Sequence, residues 1–316
     1  MTWIYSKYRN FVILGKIKII MSQDNLIDGK ALSGIIREEI RVEAEKIKEE
    51  RGRSPKLVAV IVGENPASQS YVRGKVRACD AAAFNSETIK LPDATSEEAL
   101  IEVVLKLNVD ESVDGFIVQL PLPDHINSDN IIMAIDPKKD VDGFHPVNFG
   151  KMAQGLPAFL PATPFGIITM LERYGVETSG KQCVVLGRSN IVGTPISILM
   201  SRKAKVGNAT VTLTHSRTKN LKEELLRADI VIAAIGIPNF VTEDMVKDGV
   251  VVIDVGINRV EDSSRKSGYK LVGDVDFEPV RNKASLITPV PGGVGPMTVC
   301  SLLWNTLLAA KGSIYK

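Results

Sequence analysis

The chain has 316 residues, 44% of them apolar, which is enough to bury one large core or two medium ones, and two domains are expected. Lys plus Arg number 39 against 37 for Asp plus Glu, a net charge of +2 that argues against a dedicated nucleic-acid or membrane-surface binder and for small-molecule partners. Cys79, Cys183 and Cys300 are isolated and odd in number, which speaks against a disulfide framework and for a reducing, cytoplasmic setting. His125, His145 and His215 have no ligand spacing, so no metal is expected.

Residues 1–21 read as a basic N-terminal extension. They carry Lys7, Arg9, Lys16 and Lys18 with no acid, and Gly15 and Lys16 break the apolar stretch, so a secretory signal or membrane span is disfavoured. Met21 is an alternative start. From Leu32 to Arg51, the residues Leu32, Ile36, Ile40, Ala44 and Ile47 recur at helical steps. Leu57–Val62 is a buried strand, followed by a helix over 68–83, a strand over 88–91, and a helix opened by Thr95 with Glu98 as a capping box. Gly115–Leu120 is a further strand. This alternation implies a mostly parallel sheet covered on both faces.

Pro157, Pro161 and Pro164 mark a domain junction, with Thr163 as N-cap and Pro164 as first helical residue of a new unit. Strands at 182–186, 209–213, 230–234 and 250–255 then alternate with helical patterns at 194–202 and 221–227 and a short one near Glu243. The tail from Pro296 to Ala310 reads as an apolar helix that packs back on the first domain.

The loop Gly187-Arg188-Ser189-Asn190-Ile191-Val192-Gly193-Thr194-Pro195 follows the strand Cys183–Leu186. A helix starting at Thr194 would aim backbone N–H groups at a phosphate, although the pattern departs from G-x-G-x-x-G. The next strand ends in Thr214-His215-Ser216-Arg217, with no acid to accept a ribose hydroxyl. Arg188 and Arg217, with the hydroxyls of Ser189 or Ser216, would instead clamp a 2'-phosphate, which favours NADP over NAD. The competing reading is that the glycines serve only helix–strand packing and both arginines are surface charge.

Tyr71 and Lys75 lie four residues apart and share one helix face. That spacing is weak alone and gains from its company: Gly63-Glu64-Asn65-Pro66, Gln119-Leu120-Pro121, Asp140-Val141-Asp142-Gly143, and the glycine-rich loop Pro289–Thr298. In this order PASQSYVRGK, VQLPLP, KKDVDGF, GRSNIVGTP and PGGVGPMT make the chain similar, from Asp28 to Leu308, to the methylenetetrahydrofolate dehydrogenase/cyclohydrolase family.

The resemblance implies two three-layer α/β domains facing across a cleft: a folate-binding catalytic domain over 22–160, completed by a C-terminal helix at 296–316, and a Rossmann-type NADP-binding domain over 161–295. It also implies a homodimer and two reactions, oxidation of 5,10-methylene-tetrahydrofolate with NADP+ and hydrolysis of the methenyl product to 10-formyl-tetrahydrofolate. Lys75 would be the central catalytic group, Tyr71 would orient the folate, Gln119 would hold Lys75 and Asp142 would bind the pterin. Leu120, Pro121, Pro291, Gly292 and Gly293 complete the substrate set. Gly187, Arg188, Ser189, Gly193, Ser216, Arg217, Ile257 and Thr163 form the cofactor set. Residues 79–85 depart from the family's acidic stretch ending in glycine, which leaves the end of the Tyr71–Lys75 helix open. A dehydrogenase-only or NAD-dependent enzyme is the nearest alternative. A shikimate-type oxidoreductase and a nucleotide-sensing module are more distant.

Overall fold

The computed structural model describes residues 24–265 and 268–315; the extension read over 1–21, with Met21, lies outside the described residues. Contacts divide the chain into two α/β units. Among the described residues, one comprises Gly34–Ala162 and residues 299–315; the other comprises Thr163–Thr298 and residues 24–33.

Helix α1 (Gly29–Arg51) buries the expected stripe of Leu32, Ile36, Ile40, Ala44 and Ile47. It starts three residues before Leu32 because Asp28 Oδ1 accepts the Ala31 amide at 2.8 Å. Strand β1 (Lys56–Val62), helix α2 (Pro66–Ala81), strand β2 (Asn85–Leu91), helix α3 (Glu97–Val109) and strand β3 (Gly115–Val118) form a parallel sheet in the order β2-β1-β3. Val58, Val60 and Val62 face Leu100, Val104 and Leu107 of α3 and Ile131 of α4 (Ser128–Ala134), while Leu57, Ala59 and Ile61 are buried on the other face. Burial on both faces explains the unbroken apolar run of β1.

One cap differs from the sequence reading, and one helix end that the reading leaves open is defined. Ser96, not Thr95, accepts the first-turn amide of α3, from Ala99 at 3.2 Å, because the Thr95 hydroxyl donates to Pro92 O at 2.6 Å in the preceding turn. The end of α2 is set by Ala83, which takes the left-handed conformation at φ +59° while Phe84 N donates to Cys79 O. A short helix α5 (Pro146–Ala153), which the periodicity does not reveal, is capped by His145 Nδ1 accepting from Val147 N at 3.0 Å.

Helix α6 (Ala162–Arg173) begins one residue before Thr163, so Thr163 is not its N-cap; its hydroxyl instead meets that of Thr298 at 3.0 Å. Strand β4 (Gln182–Leu186), helix α7 (Gly193–Ser201), strand β5 (Thr210–Thr214), helix α8 (Leu221–Arg227), strand β6 (Ile230–Ala233) and strand β7 (Val251–Asp254) follow. A hairpin of β8 (Asn258–Glu261) and β9 (Tyr269–Val272), helix α9 (Phe277–Lys283) and strand β10 (Leu286–Ile287) were not anticipated. The main sheet is parallel in the order β10-β7-β6-β4-β5, so the winding reverses between β4 and β6, where doubly wound sheets bind ligands. Residues 24–33 cluster with this unit because Leu26 bridges Ile287, with Ile27 N donating to Ile287 O at 2.8 Å.

Helix α10 (Val294–Ala310) closes the chain. Leu302, Leu303, Leu307 and Leu308 are buried, and Asn305 Nδ2 donates to Val141 O at 2.8 Å and Leu160 O at 2.9 Å within the first unit. Among the described residues no helix is long and apolar enough to cross a membrane.

Candidate active site

In the first unit Lys75, on α2, and Gln119, just past β3, meet with Lys75 Nζ donating to Gln119 Oε1 at 3.1 Å. Gln119 is held in turn: its amide N donates to Val60 O at 2.8 Å, and Nε2 donates to Leu120 O at 2.7 Å. Burial pushes the Lys75 ammonium below the usual lysine range, opposed by the negative charge of Asp142. Asp142 is the mirror case, raised by burial and held back by Lys75. The pair is an amine and a carboxylate whose proton affinities are drawn toward each other. Cys79, one turn past Lys75, is a buried thiol pushed up to about 12 and is not a nucleophile at neutral pH.

Tyr71 stands on the same helix, 44% exposed. Leu120 and Pro121 follow Gln119 through a cis peptide. Sequence reasoning missed Ser68, whose buried hydroxyl has no hydrogen-bond partner among the described residues and sits two turns before Lys75. A serine seven residues before a lysine on one helix was the available signal.

In the second unit the loop after β4 leaves the sheet at the reversal point. Gly187 has φ +98°, and a Cβ there would run into Ala234 O after β6, while a Cβ on Gly193 would overlap Gly187 O; no other residue fits either position. The helix start departs from the expected one. Helix α7 begins at Gly193 rather than Thr194, and Ser189 occupies its first amides: Ser189 Oγ accepts from Val192 N at 3.2 Å and Gly193 N at 3.4 Å, and Ser189 O accepts from Thr194 N at 3.0 Å. Pro195 supplies no N–H, so the helix end is capped from within instead of presenting free donors.

Leu186 and Thr214 are register partners on β4 and β5, so Gly187–Ser189 and His215–Arg217 leave the sheet side by side. Arg188, Ser189, Ser216 and Arg217 are exposed, and neither arginine pairs with an acid among the described residues. His215 Nδ1 accepts from Arg217 N at 3.1 Å and shapes that turn. Ile257, exposed, follows β7. Thr163, Pro291, Gly292 and Gly293 also belong to this unit; Gly292 O accepts from Lys30 N at 2.8 Å.

Two buried carboxylates brace the loops at these strand ends. Asp254 accepts from Gly256 N and Asp274 N at 2.9 Å and from Val275 N at 3.0 Å. Asp274 accepts from Ile235 N at 2.7 Å, from Gly236 N at 2.9 Å and from Asn258 Nδ2 at 2.9 Å. A Cβ on Gly273 would overlap the Asp254 carboxylate, and one on Gly256 would overlap that of Asp274. Burial lifts Asp254 to about 7.

A coupled amine and carboxylate in one α/β unit, and in the other a glycine loop on a doubly wound sheet, flanked by guanidinium groups that pair with no acid among the described residues, define a two-domain nucleotide-dependent enzyme. Residues 27–142 match the tetrahydrofolate dehydrogenase/cyclohydrolase catalytic domain, and residues 161–314 match the NAD(P)-binding domain of the same family. The chain is 57% identical over 285 residues to the bifunctional protein FolD of Cytophaga hutchinsonii, covering 90% of this chain and 98% of that one. It is similar to the crystal structure of the bifunctional FolD dehydrogenase/cyclohydrolase of Campylobacter jejuni, with TM-score 0.86, 46% identity and coverage of 91% and 99%. A Trypanosoma brucei methylenetetrahydrofolate dehydrogenase-cyclohydrolase, solved with NADP cofactor and inhibitor, gives TM-score 0.87 at 40% identity over 94% of this chain and all of that one. The chain belongs to the tetrahydrofolate dehydrogenase/cyclohydrolase family.

Proposed function

We propose that this protein oxidises 5,10-methylene-tetrahydrofolate with NADP+ and hydrolyses the resulting methenyl cation to 10-formyl-tetrahydrofolate. The observation that carries the reading is Lys75: an amine depressed by burial, held by Gln119 and facing Asp142, on the domain that matches the family's catalytic half.

The donor set fits NADP. Arg188 and Arg217 offer planar paired donors, and Ser216 a hydroxyl donor, for a 2'-phosphate where β5 ends without an acid. NADP+ held there would supply the hydride acceptor for the bridge carbon. That step moves no proton, so the protein contributes position: Asp142 accepts the adjacent N–H groups of the pterin, and Tyr71 orients the ring system. Leu120 and Pro121 line the substrate on the first unit. Ser189 sets the cofactor loop by capping α7, while Gly187, Gly193, Thr163 and Ile257 shape the cofactor side.

Hydrolysis is a proton problem. A water adds its oxygen to the methenyl carbon while its proton passes to the fraction of Lys75 that burial leaves unprotonated. The carbinol then collapses: its hydroxyl proton leaves, the carbon–N5 bond breaks, and N5 takes a proton from the Lys75 ammonium, so one proton is released overall. Gln119 keeps the amine aimed through both halves. The three free, buried thiols support a cytoplasmic setting. Following the methenyl absorbance from methylene-tetrahydrofolate, with NADP+ and NAD+ in parallel, tests the whole reading. Its rise and subsequent decay to the formyl product with NADP+ are expected; a rise without enzyme-catalysed decay would leave a dehydrogenase alone.

A further inference from the structure

A line of polar side chains runs from the end of the chain to the segment bearing Asp142, all within the first unit. The Tyr315 hydroxyl donates to Asn148 Oδ1 at 2.6 Å. Asn148, fully buried on α5, donates from Nδ2 to Asp140 Oδ2 at 2.9 Å and to Pro137 O at 3.0 Å. Asp140, buried as well, accepts in addition from the backbone amides of Gly143, Phe144 and His145 at 3.1, 3.2 and 2.8 Å. The polarity is uniform, because a hydroxyl that donates, an amide that accepts and donates onward, and a carboxylate that collects can each take one orientation. Tyr315 is pinned by the Phe159 ring, 5.8 Å between centroids, and by Lys151 Nζ 3.8 Å from its own ring centre. Burial lifts its phenol to about 12, so it remains a donor through the neutral range.

We propose that Tyr315, Asn148 and Asp140 are positioning residues for the substrate site, a relay by which the C-terminus fixes the 140–145 turn and with it the direction in which Asp142 presents its carboxylate. The inference rests on the assignment of Asp142 to the pterin made above. The carbonyl side of the turn is held separately, by Ala162 N on Asp142 O at 3.2 Å and by Asn305 on Val141 O. The three amides after Asp142 depend on Asp140, whose side chain is oriented by Asn148. Loss of that anchor frees the peptide that follows Asp142, and small misplacements at a binding carboxylate weaken substrate strongly.

The test uses the full-length chain with Tyr315→Phe, Asn148→Ser and Asp142→Ala. Tyr315→Phe should raise the folate KM in both reactions by about 3- to 10-fold, the range of one lost hydrogen bond, with kcat and the NADP+ KM within about twofold. Asn148→Ser should do the same more strongly, and Tyr315→Phe keeps the inference testable if Asn148→Ser folds poorly. Unchanged folate KM in folded Tyr315→Phe, beside an Asp142→Ala variant that loses folate affinity, overturns the relay and leaves the function standing. A fall in kcat at constant KM, tracking lost folded protein, makes these residues structural only and also overturns it. An Asp142→Ala variant with wild-type folate affinity removes the underlying assignment and the relay together.

Discussion

Replacing Lys75 with Met removes one charge and one donor while keeping an unbranched chain of similar reach, and two groups feel the change. Gln119 Oε1 loses the donor that now lies at 3.1 Å. Asp142 loses the cation that opposes its burial, so its carboxyl moves still further above the ordinary range, with Asp140 adding to the rise. Hydrolysis loses its base and relay and should fall about 10²- to 10⁴-fold. Hydride transfer needs no proton, and should fall only about tenfold through poorer placement. A second signature follows from Asp142: a neutral carboxyl cannot accept two pterin N–H groups, so the variant's folate KM should fall as pH rises and the carboxylate returns. In a continuous absorbance assay with methylene-tetrahydrofolate and NADP+, the variant should accumulate the methenyl product that the wild type consumes. Equal losses in the two reactions, or a folate KM that climbs with pH, would falsify this division of labour.

Other expectations concern the second unit and the helix end. Arg188→Ala should raise the KM for NADP+ about tenfold, the low end for a charge-assisted contact because the side chain is exposed, and leave NAD+ within about twofold; equal weakening of both cofactors would remove Arg188 from phosphate recognition. Ala83→Gly should stabilise the protein by about 0.5–1 kcal/mol in urea unfolding, because the left-handed strain at φ +59° exceeds the added chain entropy of glycine; a lower midpoint would contradict it. Asp254, at about 7 in the fold against 3.8 as its ordinary value, makes the native state bind more protons than the unfolded chain between those limits. Its contribution to stability therefore declines as pH rises from 4 to 7, and the difference in melting temperature between wild type and Asp254→Asn should show that slope; a parallel pair of curves would place the raised pKa elsewhere.

Apolar periodicity was the legible layer. The α1 stripe and the runs of β1 and β4 are readable because a helix repeats every 3.6 residues and a doubly covered strand is apolar throughout. The site motifs were readable because glycine at 187 and 193 and paired prolines are rare choices with few physical uses. What escaped were competitions between neighbouring polar groups. Ser96 is only a somewhat better cap than Thr95, and the carbonyl of Pro92 draws the Thr95 hydroxyl away from the helix. Ser189 reads equally well as a phosphate donor or as a cap, and it lies three and four residues from the amides its hydroxyl takes. Asn148 and Asp274 act across eight and nearly forty residues, on partners no local window contains.

The interlock of Asp254 with Gly273 and of Asp274 with Gly256 bears on how this fold can change over time. Each carboxylate fills the volume that a methyl on the facing glycine would claim. A lineage that gains a side chain at Gly273 must shed the Asp254 carboxylate in the same step, and shedding it strands three backbone amides; the reciprocal pair behaves alike. A single substitution at any of the four positions therefore meets a clash or strands hydrogen-bond donors, so the four are physically coupled. Drift is left to the exposed loops around them.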